Sequence, residues 1–201
     1  MKLKVVLILL SVIFLNGCID FTRYKTGKVL EQGKVKLTIG EGLMLDSADD
    51  FIVVILPKIG VSAGVGNGWE IGGMINMISL GADARKQFMY EEEKGINSSF
   101  DLGVNIGREV NSINGGFTFS KTISSKEEPY FGLRYNKYLK NFTEESEMLD
   151  DLEKISNVQV TLGIKRKSSK FAVYPELNLY KFTEDGGDIL TAVGIGTTYE
   201  I

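Results

Sequence analysis

Hydrophobic and polar residues alternate with a period of two along most of the chain after residue 33. In the first such run Val35, Leu37 and Ile39 fall on one face, and the residues between them fall on the other. Strict alternation places successive side chains on opposite faces of a β-strand. The pattern predicts about ten strands, at residues 34–45, 59–66, 69–77, 80–88, 100–107, 117–123, 131–136, 158–165, 171–179 and 193–201.

Residues that favour turns separate these runs. Asn67-Gly68 lies between two alternating runs and is the clearest hairpin signal, because both residues tolerate a positive φ. No helical crossover separates successive strands, so they are predicted to form an antiparallel up-and-down meander. Closing it into a barrel removes exposed edges. We therefore predict an all-β barrel of about 8–10 strands, with further turns at 46–50, 91–98, 111–115, 124–129, 167–170 and 184–188.

One stretch departs from the period of two. Met148, Leu152 and Ile155 recur at helical spacing, and Thr143 is placed to cap a helix over residues 144–155. A solvated acidic loop explains the same stretch equally well.

The amino terminus has the form of an export signal. Lys2 and Lys4 precede an apolar run over residues 5–15. That run is shorter than the roughly 20 residues of a membrane-spanning helix. It has the length of a signal-peptide core, and a small residue follows it.

The end of this signal, Leu15-Asn16-Gly17-Cys18, resembles the lipobox of bacterial lipoproteins. The resemblance implies cleavage between Gly17 and Cys18 and acylation of Cys18, which is the one cysteine of the chain. The alternative is a plain signal peptide or an anchor with an ordinary cysteine. With Ile19 directly after the cysteine, the resemblance favours the outer membrane. We predict a signal peptide at 1–17, a lipidated Cys and linker at 18–33, and a β-barrel domain at 34–201.

The polar face of the predicted strands is rich in Gly, Ser, Thr and Asn, which suits the crowded interior of a narrow barrel. Six charged residues on this face are predicted to pair across the lumen: Asp83, Arg85, Asp101, Arg134, Lys165 and Glu176.

Aromatic residues cluster near the predicted strand ends, as in the girdles of transmembrane barrels, although aromatic residues also favour strands in general. They are Trp69, Phe88, Tyr90, Phe100, Phe117, Tyr130, Phe131, Tyr138, Phe171, Tyr180, Phe182 and Tyr199.

The hairpin over residues 57–90 resembles those of bacterial outer-membrane β-barrel proteins. The residues that carry the likeness are the glycine-rich stretch 60–73 and the strand 80–88, which ends in a basic residue and an aromatic. The resemblance implies a lipid-anchored, non-enzymatic outer-membrane barrel with a structural, surface or limited-permeation role. The alternative is a soluble periplasmic or surface-facing lipocalin-like barrel that binds a hydrophobic ligand. The two hypotheses predict opposite orientations for Asn105 and Ile106.

Composition narrows the chemistry further. The 201 residues include no His and a single Cys, which excludes a Ser-His-Asp triad and a histidine- or cysteine-ligated metal centre. A net charge of -3 argues against a nucleic-acid partner. The acidic turns at 46–50 and 184–188 lack the spacing of a calcium loop and are read as solvated turns. No catalytic residue, cofactor or metal is predicted, and the expected partner is the membrane.

Overall fold

The computed structural model describes residues 23–45, 54–76, 79–91, 93–107, 110–140, 156–183 and 189–201. Within these ranges the chain forms ten β-strands and no helix. The strands are β1 Val35–Leu45, β2 Val54–Gly66, β3 Trp69–Asn76, β4 Ser79–Glu91, β5 Ile96–Gly107, β6 Val110–Lys121, β7 Glu127–Lys140, β8 Ser156–Ser168, β9 Phe171–Phe182 and β10 Ile189–Glu200.

Each strand pairs antiparallel with its neighbour in sequence, and β1 also pairs with β10, which closes the sheet into a barrel. The closing register places Gly40 opposite Gly196. Every described strand therefore has a partner on both sides, and no edge is left open. The predicted all-β meander and its closure into a barrel are confirmed.

The two ends of the barrel differ in their connections. Residues 67–68, 92–95, 122–126 and 169–170 join strands at one end, which we call the turn end. The start of β1 and the end of β10 lie there too. Residues 46–53, 77–78, 108–109, 141–155 and 183–188 join strands at the opposite end, the loop end. The longest connections of the barrel lie at this loop end.

The hairpin predicted at Asn67-Gly68 is confirmed, with φ of 51° at Asn67 and 71° at Gly68. The turn predicted at 111–115 is wrong, because these residues lie inside β6. Ser112 and Asn114 are buried there with their side chains toward the lumen, so their polarity reflects the barrel interior and not a turn. The predicted turn at 91–98 is shorter, since β5 already begins at Ile96.

Two other predicted turns are also shorter than the sequence indicated. The chain turns before Glu127 and between Ser168 and Phe171. The predicted turns at 46–50 and 184–188, the predicted helix at 144–155, and the whole of 1–22 lie outside the described residues.

The apolar face of the strands points outward and the polar face points into the barrel. Ile106 is 61% exposed, whereas the neighbouring Asn105 is 6% exposed. Leu37 and Ile39 on β1 are likewise exposed, and Lys36 between them is buried. This orientation is the reverse of that in a soluble barrel with an apolar interior, and it is the one that a lipid-facing barrel requires.

Residues 23–33 are the described part of the stretch predicted at 18–33 as a lipidated Cys and linker. They lie within the barrel, where Arg23, Tyr24 and Thr26 are buried. At the turn end the backbone N–H of Gly33 donates to the carbonyl of Gly64 at 3.0 Å, next to the start of β1. We call residues 23–33 the lumenal segment.

Candidate functional site: the barrel lumen and the segment that fills it

Glu176 on β9 holds the backbone of the lumenal segment. Its carboxylate accepts the backbone N–H of Arg23 at 2.7 Å and that of Tyr24 at 2.5 Å. The hydroxyl of Tyr130 donates to the same carboxylate at 2.6 Å. Hydrogen bonds to an ionised acceptor are stronger than neutral ones, so this buried carboxylate fixes two consecutive peptide groups in the centre of the barrel.

Asp101 on β5 joins the lumenal segment to the opposite wall. The carboxylate accepts from the guanidinium of Arg23 and, at 2.9 Å, from Nη2 of Arg134 on β7. The two guanidinium groups stay charged in proteins, and the carboxylate between them offsets their mutual repulsion.

Nearer the turn end, Glu70 and Arg85 bind the next part of the segment. The backbone N–H of Leu30 donates to Glu70 at 3.0 Å. Arg85 donates to the carbonyl of Thr26 and lies 3.3 Å from Glu70. Both wall side chains are fully buried. The segment is thus held through its N–H groups by carboxylates and through a carbonyl by a guanidinium.

The ring of Tyr24 occupies a space that two glycines of the wall leave open. A Cβ placed on Gly40 or on Gly196 would overlap the ring. The hydroxyl of Tyr24 donates to the carbonyl of Glu41 at 2.5 Å, and the ammonium of Lys58 lies 4.7 Å from the ring centroid. Gly40 and Gly196 are paired on neighbouring strands, and neither has a side chain. The narrow barrel therefore has room for the aromatic ring beside them.

All six charged residues predicted to line the lumen do face it, but their partners differ from the prediction. Asp101 pairs with Arg134, but the two residues lie two strands apart along the wall and not across the lumen. Asp83 instead pairs with Lys25 of the lumenal segment, and Glu176 binds the segment's backbone. Arg85 and Lys165 pair with two carboxylates that the sequence analysis did not single out, Glu70 and Glu128, at 3.3 Å and 3.6 Å.

Several aromatic residues of the predicted girdle face outward. These cluster near the turn end, where Phe88 contacts Phe117 at 6.2 Å between centroids, and Phe171 contacts Tyr199 at 4.8 Å. The assignment is wrong for three tyrosines, which are buried toward the lumen: Tyr130, Tyr138 and Tyr180. A buried phenol needs a hydrogen-bond partner, and the polar lumen supplies one, as Glu176 does for Tyr130.

The described residues pack closely around Arg23 and Lys25 of the lumenal segment. Two cavities beside Arg23 and Lys25 have volumes of about 30 and 10 Å³. Cavities of this size have room for no more than one or two water molecules. A much larger concavity, about 820 Å³, lies on the outer surface over β4–β7 and is lined mainly by apolar side chains such as Leu102 and Ile113.

Among the described residues, no group of three or more Asp, Glu or Cys side chains is placed to hold a metal ion. The same part of the chain contains no helix long and apolar enough to cross a membrane. The predicted cleavage and lipidation residues, Gly17 and Cys18, lie outside the described ranges.

In architecture the chain resembles the β-barrels of outer-membrane proteins. The NanC porin matches with a TM-score of 0.56 at 11% identity, over 81% of this chain and 98% of the porin. The match to LpxR from Salmonella typhimurium spans 83% of this chain and 99% of LpxR, with a TM-score of 0.47 at 9% identity. The match to Ail, the attachment invasion locus protein of Yersinia pestis, spans 85% of this chain and 99% of Ail, with a TM-score of 0.37 at 15% identity.

These likenesses concern the fold alone, and of the three proteins the NanC porin has a TM-score above 0.5. No family model and no curated protein sequence matches the chain.

Proposed function

We propose that the protein is an outer-membrane β-barrel lipoprotein, acylated on Cys18, with a structural or surface role and no enzymatic activity. The observation that carries the proposal is the orientation of the strands, with Ile106 facing outward and Asn105 facing inward. A surface of exposed Leu, Ile, Val and Phe side chains around a closed barrel is suited to lipid and not to water.

The filling of the lumen supports a structural or surface role over the other roles that a barrel of this kind can have. Permeation needs an open path, but Arg23 and Tyr24 fill the middle of the barrel and are held by Glu176. A lipocalin-like role needs an interior apolar cavity of several hundred cubic ångströms. The cavities beside Arg23 are about 30 and 10 Å³. The interior supports neither role, so the proposed role lies at the surface or in the envelope structure.

The barrel and the anchor are tested separately. In the first experiment, residues 1–17 are replaced by a signal peptide that needs no cysteine for cleavage, and Cys18→Ser removes the acylation site. The proposal expects this non-lipidated form to stay in the outer-membrane fraction through high-salt and carbonate washes and to leave it only in detergent. Release by salt alone would contradict membrane insertion.

In the second experiment, cells expressing the natural chain or its Cys18→Ser variant are fed radiolabelled palmitate. The natural chain is expected to incorporate the label, and mass measurement of its amino terminus is expected to show acylated Cys18 as the first residue. Equal incorporation in the Cys18→Ser variant would contradict lipidation at this position.

A further inference from the structure

Two charged side chains interrupt the apolar outer surface of the strands near the loop end. Glu41 on β1 is exposed between the outward-facing Ile39 and Leu43. Lys137 on β7 follows the buried Asn136 and is exposed in the same way. Within the described part of the chain, neither the carboxylate of Glu41 nor the ammonium of Lys137 belongs to an ion pair. Charges that face lipid are rare and are paired where they occur, so each of these two needs a partner.

The two charges lie at nearly the same depth. Glu41 is four residues from the loop end of β1 at Leu45, and Lys137 is three residues from the loop end of β7 at Lys140. Strands rise about 3.3 Å per residue and tilt by about 40° in membrane barrels, so the two depths differ by about 3 Å. Copies inserted in one membrane share one orientation. Glu41 of one copy is therefore level with Lys137 of a second copy.

The surface beside Lys137 is concave, whereas the surface beside Glu41 projects. The concavity of about 820 Å³ has Lys137 in its lining and extends from β7 toward β4, with Gly115 on β6 contributing no side chain. Ile39 and Ile59 are paired on β1 and β2 and are 61% and 58% exposed. We call these two side chains the isoleucine ridge. Ile39 and Gly115 are six and five residues from the loop ends of their strands, so the ridge and the concavity are also level.

The lateral order of the strands matches as well. The concavity lies on the β6 side of Lys137, and Ile59 lies on the β2 side of Glu41. When two barrels of the same orientation meet side by side, the lower-numbered neighbour on one surface lies against the higher-numbered neighbour on the other. β6 of one copy therefore faces β2 of the next copy. The isoleucine ridge is then opposite the concavity in the same arrangement that brings Glu41 to Lys137.

We propose that copies of this chain associate in the membrane through these two faces, with Glu41 of one copy paired to Lys137 of the next and the isoleucine ridge seated in the concavity. The inference rests on the proposed membrane insertion, which removes water from both charges. The contact satisfies both charges at once, whereas a lipid phosphate would satisfy Lys137 alone.

The contact joins two different faces, so it is heterologous and its closure depends on where the faces lie. The β1–β2 face and the β6–β7 face are five strands apart in either direction around the ten-stranded barrel. They are therefore on opposite sides of the molecule. The copies form an open row in the membrane plane and not a closed dimer.

The first test is oxidative cross-linking in isolated outer membranes from cells that express the full chain. Ile59→Cys and Ile113→Cys are combined in one chain, because Ile113 belongs to the lining of the concavity. The proposal expects a ladder of disulfide-linked dimers, trimers and larger species. The control combines Leu177→Cys with Ile113→Cys, since Leu177 faces outward on β9, midway between the two faces. Absence of the ladder with Ile59→Cys, or an equal ladder with Leu177→Cys, would overturn the proposal.

The second test exchanges the charges in the chain that carries Ile59→Cys and Ile113→Cys. Glu41→Lys alone and Lys137→Glu alone each bring like charges together, and each is expected to lower the cross-linked product by about tenfold. Both substitutions in one chain restore opposite charges and are expected to restore the ladder. Lys181→Glu is the matched control, because Lys181 is also exposed near the loop end but lies on β9. Each variant is first shown to be folded by its heat-dependent mobility on gels.

The double exchange decides whether the two side chains meet. If its ladder stays as low as in the single variants, Glu41 and Lys137 are not partners and the proposal is wrong. The extraction experiment with Cys18→Ser tests membrane insertion separately. A barrel that resists the carbonate wash but gives no ladder would keep the proposed function and lose this contact.

Discussion

The carboxylate of Glu176 on β9 accepts the backbone N–H of Tyr24 at 2.5 Å, across 152 residues of sequence. It also accepts the N–H of Arg23 and the hydroxyl of Tyr130. The wall therefore recognises the main chain of the lumenal segment and not only its side chains. Without this carboxylate, two buried N–H groups and a buried phenol would lose their acceptor, and an unsatisfied buried polar group is costly.

The first prediction concerns this carboxylate. Glu176→Ala is expected to lower the free energy of unfolding by about 2–4 kcal/mol, the usual range for leaving buried partners unpaired. Glu176→Gln keeps one acceptor oxygen and is expected to lose less. The measurement is urea unfolding of the detergent- or bilayer-inserted barrel.

The control for Glu176 is Glu127→Ala at the turn end. Glu127 lies 3.5 Å from Arg166, but both side chains are largely exposed, and exposed pairs contribute about 0–1 kcal/mol. Equal losses in Glu176→Ala and Glu127→Ala would contradict the role of Glu176 in holding the segment.

A second prediction follows from the glycines that make room for Tyr24. Gly196→Ala places a methyl group where the ring lies, and overpacking of this kind costs about 1–3 kcal/mol. Gly73→Ala is the matched control, because its new methyl group would meet its nearest neighbour, a carbonyl oxygen, at an ordinary 3.6 Å.

The decisive measurement for Gly196 is a double-mutant cycle. Tyr24→Ala is expected to cost less stability in the Gly196→Ala background than in the natural chain, since the clash has already displaced the ring. Additive losses from the two substitutions would show that the ring and the glycine do not share this space.

The strand pattern was readable from the sequence because alternation is local. It placed Asn105 and Ile106 on opposite faces, but it could not decide which face is inside. Which face points inward depends on whether the barrel lies in water or in lipid. Strands of soluble barrels and of membrane barrels both alternate with a period of two. The error at Tyr130 has the same origin, because a tyrosine near a strand end suits a girdle as well as a polar lumen.

The lumenal segment was missed because nothing local marks it. Residues 23–33 are polar and aperiodic, as a linker would be, and their partners are distant in sequence, up to 153 residues away for Arg23 and Glu176. One signal was present. Arg23 and Lys25 in the supposed linker were two further cations that could pair with Asp101 and Asp83 on the predicted lumenal face. Matching these charges would have suggested that the segment enters the barrel.

A third prediction tests the lipid-facing surface directly. Leu102 lies in the middle of β5 and is 57% exposed. Leu102→Lys is expected to destabilise the bilayer-inserted barrel by about 2–4 kcal/mol, as a lysine near the midplane of a membrane barrel does. The control is Ile123→Lys in the turn after β6, where the side chain is 65% exposed. Similar small effects at both positions would place the outer surface of β5 in water.

The last prediction concerns closure of the lumen. Arg23, Tyr24 and Lys25 fill the middle of the barrel, and replacing all three by Gly leaves the wall carboxylates, Asp83 and Glu176 among them, facing open space. Water is expected to hydrate these charges, because a buried carboxylate without a partner is far more costly than a solvated one. In planar bilayers the natural chain is expected to give no stepwise conductance, and the triple variant is expected to give discrete steps.

Lys28→Ala is the control for this measurement, because Lys28 belongs to the same segment but is exposed. Its side chain lies 5.6 Å from the ring of Tyr90 at the turn end and does not fill the centre, so the barrel is expected to stay closed. Each variant is checked for folding by its heat-dependent mobility before it is recorded. Conductance steps of equal size in the natural chain and the triple variant would mean that residues 23–25 do not block the lumen in the membrane.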